Sequence, residues 1–269
     1  MIAPEILGFY ATGNEEGRLR TSLGRLEFIR TWEILDRYLP ASPCRVVDIG
    51  GGTGVYALSL AAHGHRVHLI DPVPLHIERA TALSSASLTP LEGIQLGDAL
   101  HLTVADASFD VALLFGPLYH LTERVDRLRA LVEAKRVLVP GGLLLTAHIS
   151  RFAAACDGIQ DGALRDVEFA AMVDRGLTSG IHENLANRPD WFTTAYLHHP
   201  GEIRPEIEEA GLRFEALLAV EGPGWMNEAL DSWLDDDLQR EQLLAVVRRV
   251  EAEPSLLGAS PHLIAVARA

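Results

Sequence analysis

Residues 44–54, C-R-V-V-D-I-G-G-G-T-G, carry a short apolar run with one carboxylate, Asp48, straight into four glycines in five residues. Side chains are given up on this scale where backbone must come close to a ligand. Three ligand classes compete: a nucleoside triphosphate, a dinucleotide, or a ligand without phosphate. A phosphate loop needs a Lys directly after its last glycine. None follows Gly54, and Lys135 is the only lysine of the chain. The dinucleotide pattern G-x-G-x-x-[GA] is met by Gly52 to Ala57 in one register. Asp71 stands about 20 positions on, where a carboxylate takes the two hydroxyls of an adenosine ribose. It supports adenosine without choosing the cofactor. Asp48 does choose: a carboxylate at the end of the first strand repels a pyrophosphate and suits an ammonium or sulfonium.

Outward from this loop, residues 44 to about 150 alternate short apolar runs with helical stretches. The strand candidates are Cys44–Ile49, Arg66–Ile70, Ile94–Leu96, Asp110–Phe115 and Leu143–His148. Helices are expected over Val55–Ala62, Pro74–Leu83 and Arg124–Leu138, the last stopped by Pro140-Gly141-Gly142. Strands alternating with helices of this length predict βαβ units, and right-handed crossovers make a doubly wound α/β sandwich. Residues 1–40 read as an amphipathic helical lid and 41–150 as the cofactor-binding core. Residues 151–200 read as a helical insertion, turning at Pro189-Asp190, and 201–269 as C-terminal helices and strands of the same single domain. In that last part a strand over Leu212–Glu221, a helix over Leu230–Ala252 and a strand over His262–Ala267 are expected. The lid charges Glu15, Glu16, Arg18 and Arg20 read as a solvated run in which one Arg can meet a ligand carboxylate.

The bulk numbers narrow the partners. The chain has 269 residues, 48% hydrophobic and 22% charged, enough to bury a core without staples. With 23 Lys and Arg against 37 Asp and Glu, the net charge of −14 opposes nucleic acid, whose binding rests on phosphate neutralisation. No run approaches the roughly 20 apolar residues that span a bilayer. The N-terminus lacks the basic flank and apolar stretch of a signal peptide. Only two cysteines, Cys44 and Cys156, are present, so no disulfide framework is expected and a reducing, cytoplasmic setting fits. A small-molecule partner follows, with neither nucleic acid nor membrane; a homodimer is left open.

The ordered set D-I-G-G-G-T-G (48–54), I-D-P (70–72), G-D-A (97–99), F-D-V-A-L-L-F-G-P-L-Y-H-L (109–121) and R-V-L-V-P-G-G (136–142) resembles the class I S-adenosylmethionine-dependent methyltransferases. The resemblance covers nearly the whole chain and is strongest over 46–150. It implies a seven-stranded, mostly parallel sheet with an antiparallel last strand, and S-adenosylmethionine as cofactor. By position, Gly50 and Gly52 would approach the methionine part and Asp71 would hold the ribose hydroxyls, with Asp48, Gly51, Gly54 and Pro72 as further cofactor-binding residues. Asp98 and Ala99 would flank adenine, and Phe115 would stand beside the sulfonium.

Methyl transfer requires an aligned nucleophile, exclusion of water and, for a protonated acceptor, a base. Tyr119 and His120 emerge at the carboxyl end of the fourth strand, where ligands of open α/β sheets bind. His120 is the candidate base, and the resemblance to small-molecule methyltransferases implies a partner Tyr from the lid, for which Tyr10 is the match. A second group, Trp191, Phe192, Tyr196, His198 and His199, with His148 at the end of the fifth strand, is expected to wall an apolar or aromatic acceptor pocket. A metal is not expected, because neighbouring residues of an extended chain such as His198 and His199 point to opposite sides. The acceptor atom, O, N or C, is not fixed. Two other readings compete: a nicotinamide oxidoreductase, which lacks a Tyr-x-x-x-Lys because residue 131 is Leu131, and a cofactor-binding regulatory protein without catalysis.

Overall fold

A computed structural model describes residues 4–11, 17–186, 188 and 191–269. Glu15, Glu16, Pro189 and Asp190 of the sequence expectations lie outside the described residues. The chain begins with α1 (Pro4–Ala11) and α2 (Ser22–Tyr38). An alternating core follows: β1 (Arg45–Ile49), α3 (Val55–Ala62), β2 (Arg66–Asp71), α4 (Pro74–Ala86), β3 (Gly93–Leu96), β4 (Phe109–Leu114), α5 (Pro117–His120), α6 (Arg124–Val137) and β5 (Leu138–Ile149). Next come α7 (Ala153–Gln160), α8 (Val167–Ser179), a hairpin of β6 (Ile181–His182) and β7 (Ala195–Tyr196), and α9 (Pro200–Glu209). The chain closes with β8 (Arg213–Ala219), α10 (Leu230–Asp235), α11 (Asp237–Val250) and β9 (His262–Arg268).

The seven strands lie in the order β3-β2-β1-β4-β5-β9-β8. Only β9 runs against its neighbours, pairing antiparallel with both β5 and β8. Order reverses between β1 and β4, and this switch point opens a crevice at the carboxyl ends of the strands. Along β1 the side chains alternate: Val46 packs with Leu35, Leu60 and Ala80 on one face, while Val47 packs with Leu131, Ala134 and Ile207 on the other. Both faces are therefore covered, which is why these strands read as continuous apolar runs. Full burial of each such aliphatic is worth roughly 1.5–3 kcal/mol.

Helix α2 is tied to the sheet by more than its apolar stripe. Arg30 is fully buried, donating to the Val220 carbonyl at 3.1 Å and ion-paired with Glu33 and Glu251. That pairing fixes the helix across the end of β8, over the crevice.

Three local expectations are corrected. Helix α6 ends at Val137, and Pro140-Gly141-Gly142 lies inside β5 as a bulge rather than as a turn ahead of it. Phe109 is paired with Leu138 but Val111 with Leu143, and Gly141 adopts φ +77°. The bulge persists because the chain terminus supplies its backbone partners: Gly141 N–H donates to Ala269 O, and Ala269 N–H to Gly142 O, each at 3.0 Å. The insertion is not purely helical, since β6 and β7 pair within it. The long C-terminal helix is two helices, parted at Asp236, whose carboxylate caps α11 by accepting from Gln239 N–H at 2.8 Å.

Candidate functional site

A cleft of about 260 Å³ crosses the carboxyl ends of the strands from β3 to β9. Its middle is the glycine loop between β1 and α3. Gly50 N–H donates to the Ile70 carbonyl at 2.7 Å, which extends the β1–β2 pairing into the loop. Gly50 has φ +73°, and a Cβ there would stand 2.6 Å from Cδ of Pro117, so the loop is pressed against the start of α5. Gly50, Gly51 and Gly52 face the cleft, whereas Gly54 lies one step back and opens α3 with φ +89°.

Asp48 is 1% exposed, yet neither carboxylate oxygen has a partner of hydrogen-bonding geometry among the described residues. Burial, reinforced by the Asp71 charge and only partly opposed by the Ala57 backbone, pushes its carboxyl up to about 7. A buried, unsatisfied carboxylate costs a great deal unless a cation arrives to meet it. Gly51 leaves room for it: a Cβ at Gly51 would be 2.6 Å from Asp48 Oδ2. The donor set thus fits a ligand bearing an ammonium next to a backbone cradle, and not a pyrophosphate.

At the end of β2, Asp71 is 4% exposed and accepts from Gly52 N–H at 2.8 Å, Val73 N–H at 2.9 Å and the His76 ring at 2.9 Å. Pro72 lines the cleft beside it. After β3, Asp98 accepts from Leu100 N–H at 2.9 Å, forming a tight turn that brings Ala99 and Leu100 to the wall. Phe115, past β4, lies in the cleft with Tyr56 of α3 edge-on to it at 5.4 Å. The ten residues expected at the cofactor therefore cluster at one crevice, Gly54 standing behind it.

The lid reaches the wall beside Asp71 and α5, with the Tyr10 ring edge-on to His76 at 5.4 Å. Tyr10 Oη lies 2.7 Å from His120 Nε2, and both line the cleft with Tyr119. Burial pulls the His120 imidazolium down to about 4, against small upward pulls from the Thr194 carbonyl and Asp71. Neutral His120 thus takes the Tyr10 hydroxyl hydrogen at Nε2 and faces Thr194 O with Nδ1 at 3.4 Å. Phe192 supports this pair from behind, 5.8 Å from the His120 ring and 5.5 Å from Phe9.

The other residues expected at the acceptor lie away from the cleft. Trp191 packs on Phe169 at 5.3 Å in the insertion. Tyr196 lies under the Arg127 guanidinium at 3.6 Å, and His148 and His198 face each other at 4.5 Å in the buried layer between β5 and α9. Burial holds both histidines below their ordinary range. His199 caps α9, accepting from Gly201 N–H at 3.1 Å. The run 191–200 is aromatic because it packs, not because it opens onto ligand.

Sequence reasoning passed over the residues at the other end of the cleft. Glu27 of α2, Thr31, Tyr56 and His262 of β9 line it together with Arg18. Glu27 is clasped by Arg18 through both oxygens. Behind His262 stands Glu221, fully buried, its carboxylate 2.6 Å from His262 Nδ1. Glu27, Glu221 and His262 offer ligand atoms within 4.8 Å of one another. Arg18 and a protonated His262 already supply the countercharge a metal would bring, so the group reads as a salt-bridged network. No contiguous motif joins residues 27, 221 and 262; the signal was an acidic residue on the inner side of an amphipathic helix.

Residues 47–146 match the methyltransferase domain family. The chain is 38% identical over 114 residues to an uncharacterised methyltransferase of Mycobacterium tuberculosis, covering 42% of each. It is 36% identical over 110 residues to a demethylmenaquinone methyltransferase of Deinococcus radiodurans, covering 40% of this chain and 44% of that one. The matches thus span less than half the length of these curated relatives. In fold, the chain superposes on an S-adenosylmethionine-dependent methyltransferase of Methanosarcina mazei with TM-score 0.59 at 16% identity, covering 87% of this chain and 96% of that one.

Proposed function

We propose, for a chain that belongs to the class I S-adenosylmethionine-dependent methyltransferases, that it methylates a small acceptor with an apolar or aromatic body at the cleft between Phe115 and the Tyr10–His120 pair. The observation that carries this reading is Asp48, buried with no hydrogen-bond partner among the described residues at the mouth of the glycine loop. S-adenosylmethionine supplies, when bound, an electrophilic methyl on a sulfonium sulfur. Asp48 would meet its ammonium, the backbone of Gly50 to Gly52 would cradle its amino-acid part, and Asp71 would hold its ribose. Ala99 and Leu100 would close on the adenine.

The chain's own chemistry is then to align and to deprotonate. Phe115 and Tyr56 give the methyl end an apolar wall that excludes water. An acceptor hydroxyl or amine loses its proton easily once its heteroatom begins to take the methyl. The base therefore has to be proton-free rather than strong. His120, neutral down to about pH 4, meets that requirement. Tyr10 would pass its proton to His120 Nε2 while taking the acceptor's, and the α1 lid would hold it there. The small-molecule reading is supported by the volume of the cleft and by a net charge of −14. The demethylmenaquinone relative accords with a ring acceptor.

Methyl-tritiated S-adenosylmethionine, offered with a panel of phenols, hydroquinones and aromatic amines, tests the proposal. Transfer by the wild type that is lost in Tyr10→Phe and His120→Ala supports it. Transfer that survives in both variants would assign the cleft a mechanism without the dyad, and labelled transfer RNA accepted in place of every small molecule would refute the acceptor class.

A further inference from the structure

The cofactor residues occupy the half of the cleft over β1, β2 and β3. The other half, over β5, β8 and β9, has apolar walls from Ala147, Val220, Ile264 and Tyr56 and one charged end, where His262 stands. That combination is an apolar ligand pocket with one charged end, which Arg18, Glu27 and His262 form together.

We propose that His262 anchors the methyl acceptor by an oxyanion, a carboxylate or acidic hydroxyl carried on its apolar body, through the Nε2–H of its ring. The inference rests on the methyl-transfer reading and adds the substrate class to it.

The geometry sets this up from behind. Glu221, fully buried, accepts from His262 Nδ1 at 2.6 Å, from the His262 backbone N–H at 3.1 Å and from Ser260 Oγ at 2.8 Å. Glu27 Oε2 lies 3.7 Å from the same Nδ1. The ring is thus fixed by one edge, and its tautomer and charge are set by two carboxylates. Nε2 on the opposite edge has no partner among the described residues, while 23% of the side chain is open to the cleft. Burial by itself would discharge the imidazole. Glu27 and Glu221 together overcome that and lift it to about 9, so the ring presents a charged donor at neutral pH. Arg18, paired with Glu27, keeps that carboxylate from competing for the ligand. Arg18 and the protonated ring balance Glu27 and Glu221, so both of those carboxylates are already paired when an anion arrives. Asp157, whose carboxyl burial raises to about 6, also feels the His262 charge. A cationic ligand would find both carboxylates already taken.

Three probes with one body separate the alternatives: benzoate, benzamide and benzylamine, titrated into the full chain with and without S-adenosylhomocysteine. Benzoate is expected to bind about ten- to hundredfold more tightly than benzamide or benzylamine, the range of a charge-assisted hydrogen bond. His262→Gln is expected to erase that preference while leaving S-adenosylhomocysteine affinity within about twofold. In the wild type, ¹⁵N-labelled His262 is expected to shift at Nε2 on adding benzoate, which keeps the test independent of how the variant folds. Equal affinity for the three probes, or an Nε2 resonance unmoved by bound benzoate, overturns the inference. So does a His262→Gln variant that loses S-adenosylhomocysteine but keeps benzoate, because the anchor would then serve the cofactor's own carboxylate. Failure of the wild type to bind S-adenosylhomocysteine would instead sink the methyl-transfer reading.

Discussion

Tyr10 Oη stands 2.7 Å from His120 Nε2, across 110 residues of sequence, and closes the lid onto the carboxyl end of β4. If this pair handles the acceptor proton, Tyr10→Phe and His120→Ala should each lower kcat about 10²–10⁴-fold while cofactor affinity holds. Their double variant should fall little further, because the two act as a unit. The pH profile gives a second reading. With His120 drawn down to about 4, its limb should appear as activity falling below about pH 5, and no limb should be seen near 6.5.

Asp48 predicts how cofactor binding responds to pH. Its carboxyl titrates near 7 in the free protein and is driven to the ionised form by an ammonium. Affinity for S-adenosylhomocysteine should therefore rise as pH rises toward about 7 and then level. Asp48→Asn should bind weakly with no such rise. The sign for the free protein is opposite: a carboxyl raised from 3.8 to about 7 makes the folded state less stable as pH climbs from about 4 through 7, with the full penalty present above that. Asp48→Asn should accordingly raise the apo Tm at pH 8, a gain of stability at the expense of function. Proton release measured by calorimetry in two buffers checks the first part, and a thermal melt checks the second.

Gly51→Ala is a steric test of the same contact. The new Cβ would lie 2.6 Å from Asp48 Oδ2, so either the carboxylate turns away or the loop shifts. Affinity for S-adenosylhomocysteine should drop about tenfold or more while the urea midpoint stays near that of the wild type. Unchanged affinity would mean the Asp48 carboxylate does not face the ligand.

The buried pair Arg127–Glu206, 2.8 Å apart and under 5% exposed, is assigned to stability rather than to the site. Burial would raise Glu206, but His198 and Arg127 hold it down to about 2. Its contribution is full above about pH 4.5 and fades as pH falls toward 2. Arg127→Met leaves the buried carboxylate only Arg124 at 3.7 Å and His198 at 3.5 Å and uncovers the Tyr196 face, and should cost about 3 kcal/mol in urea unfolding at pH 7. Arg127→Met with Glu206→Met should recover much of that loss. A single variant as stable as the wild type would contradict the assignment.

The glycine-loop half of the cleft was legible because its parts are contiguous. Asp48, the glycines and Asp71 each sit at a strand end, and strand ends are readable from apolar alternation. His120 was legible for the same reason, whereas its meeting with Tyr10 was expected only from the family resemblance, since nothing local in the sequence joins positions 110 residues apart. The His262 end was not legible. Glu27, Glu221 and His262 come from a helix, a loop and a reversed strand, and only the antiparallel β9 brings them together. Residues 191–200 misled in the opposite direction: aromatic and histidine side chains mark a packed layer as readily as a pocket. Tyr196 under Arg127 and His198 facing His148 are packing of that kind. The Pro140-Gly141-Gly142 bulge depends on backbone supplied by Ala269, a partner no local pattern reveals.

The most direct test of the account is a calorimetric titration of the full chain with S-adenosylhomocysteine and, in parallel, with NADH. Saturable one-site binding of S-adenosylhomocysteine, greatly weakened in Asp48→Asn, is expected, with no heat from NADH. Tight NADH binding without S-adenosylhomocysteine binding would contradict it.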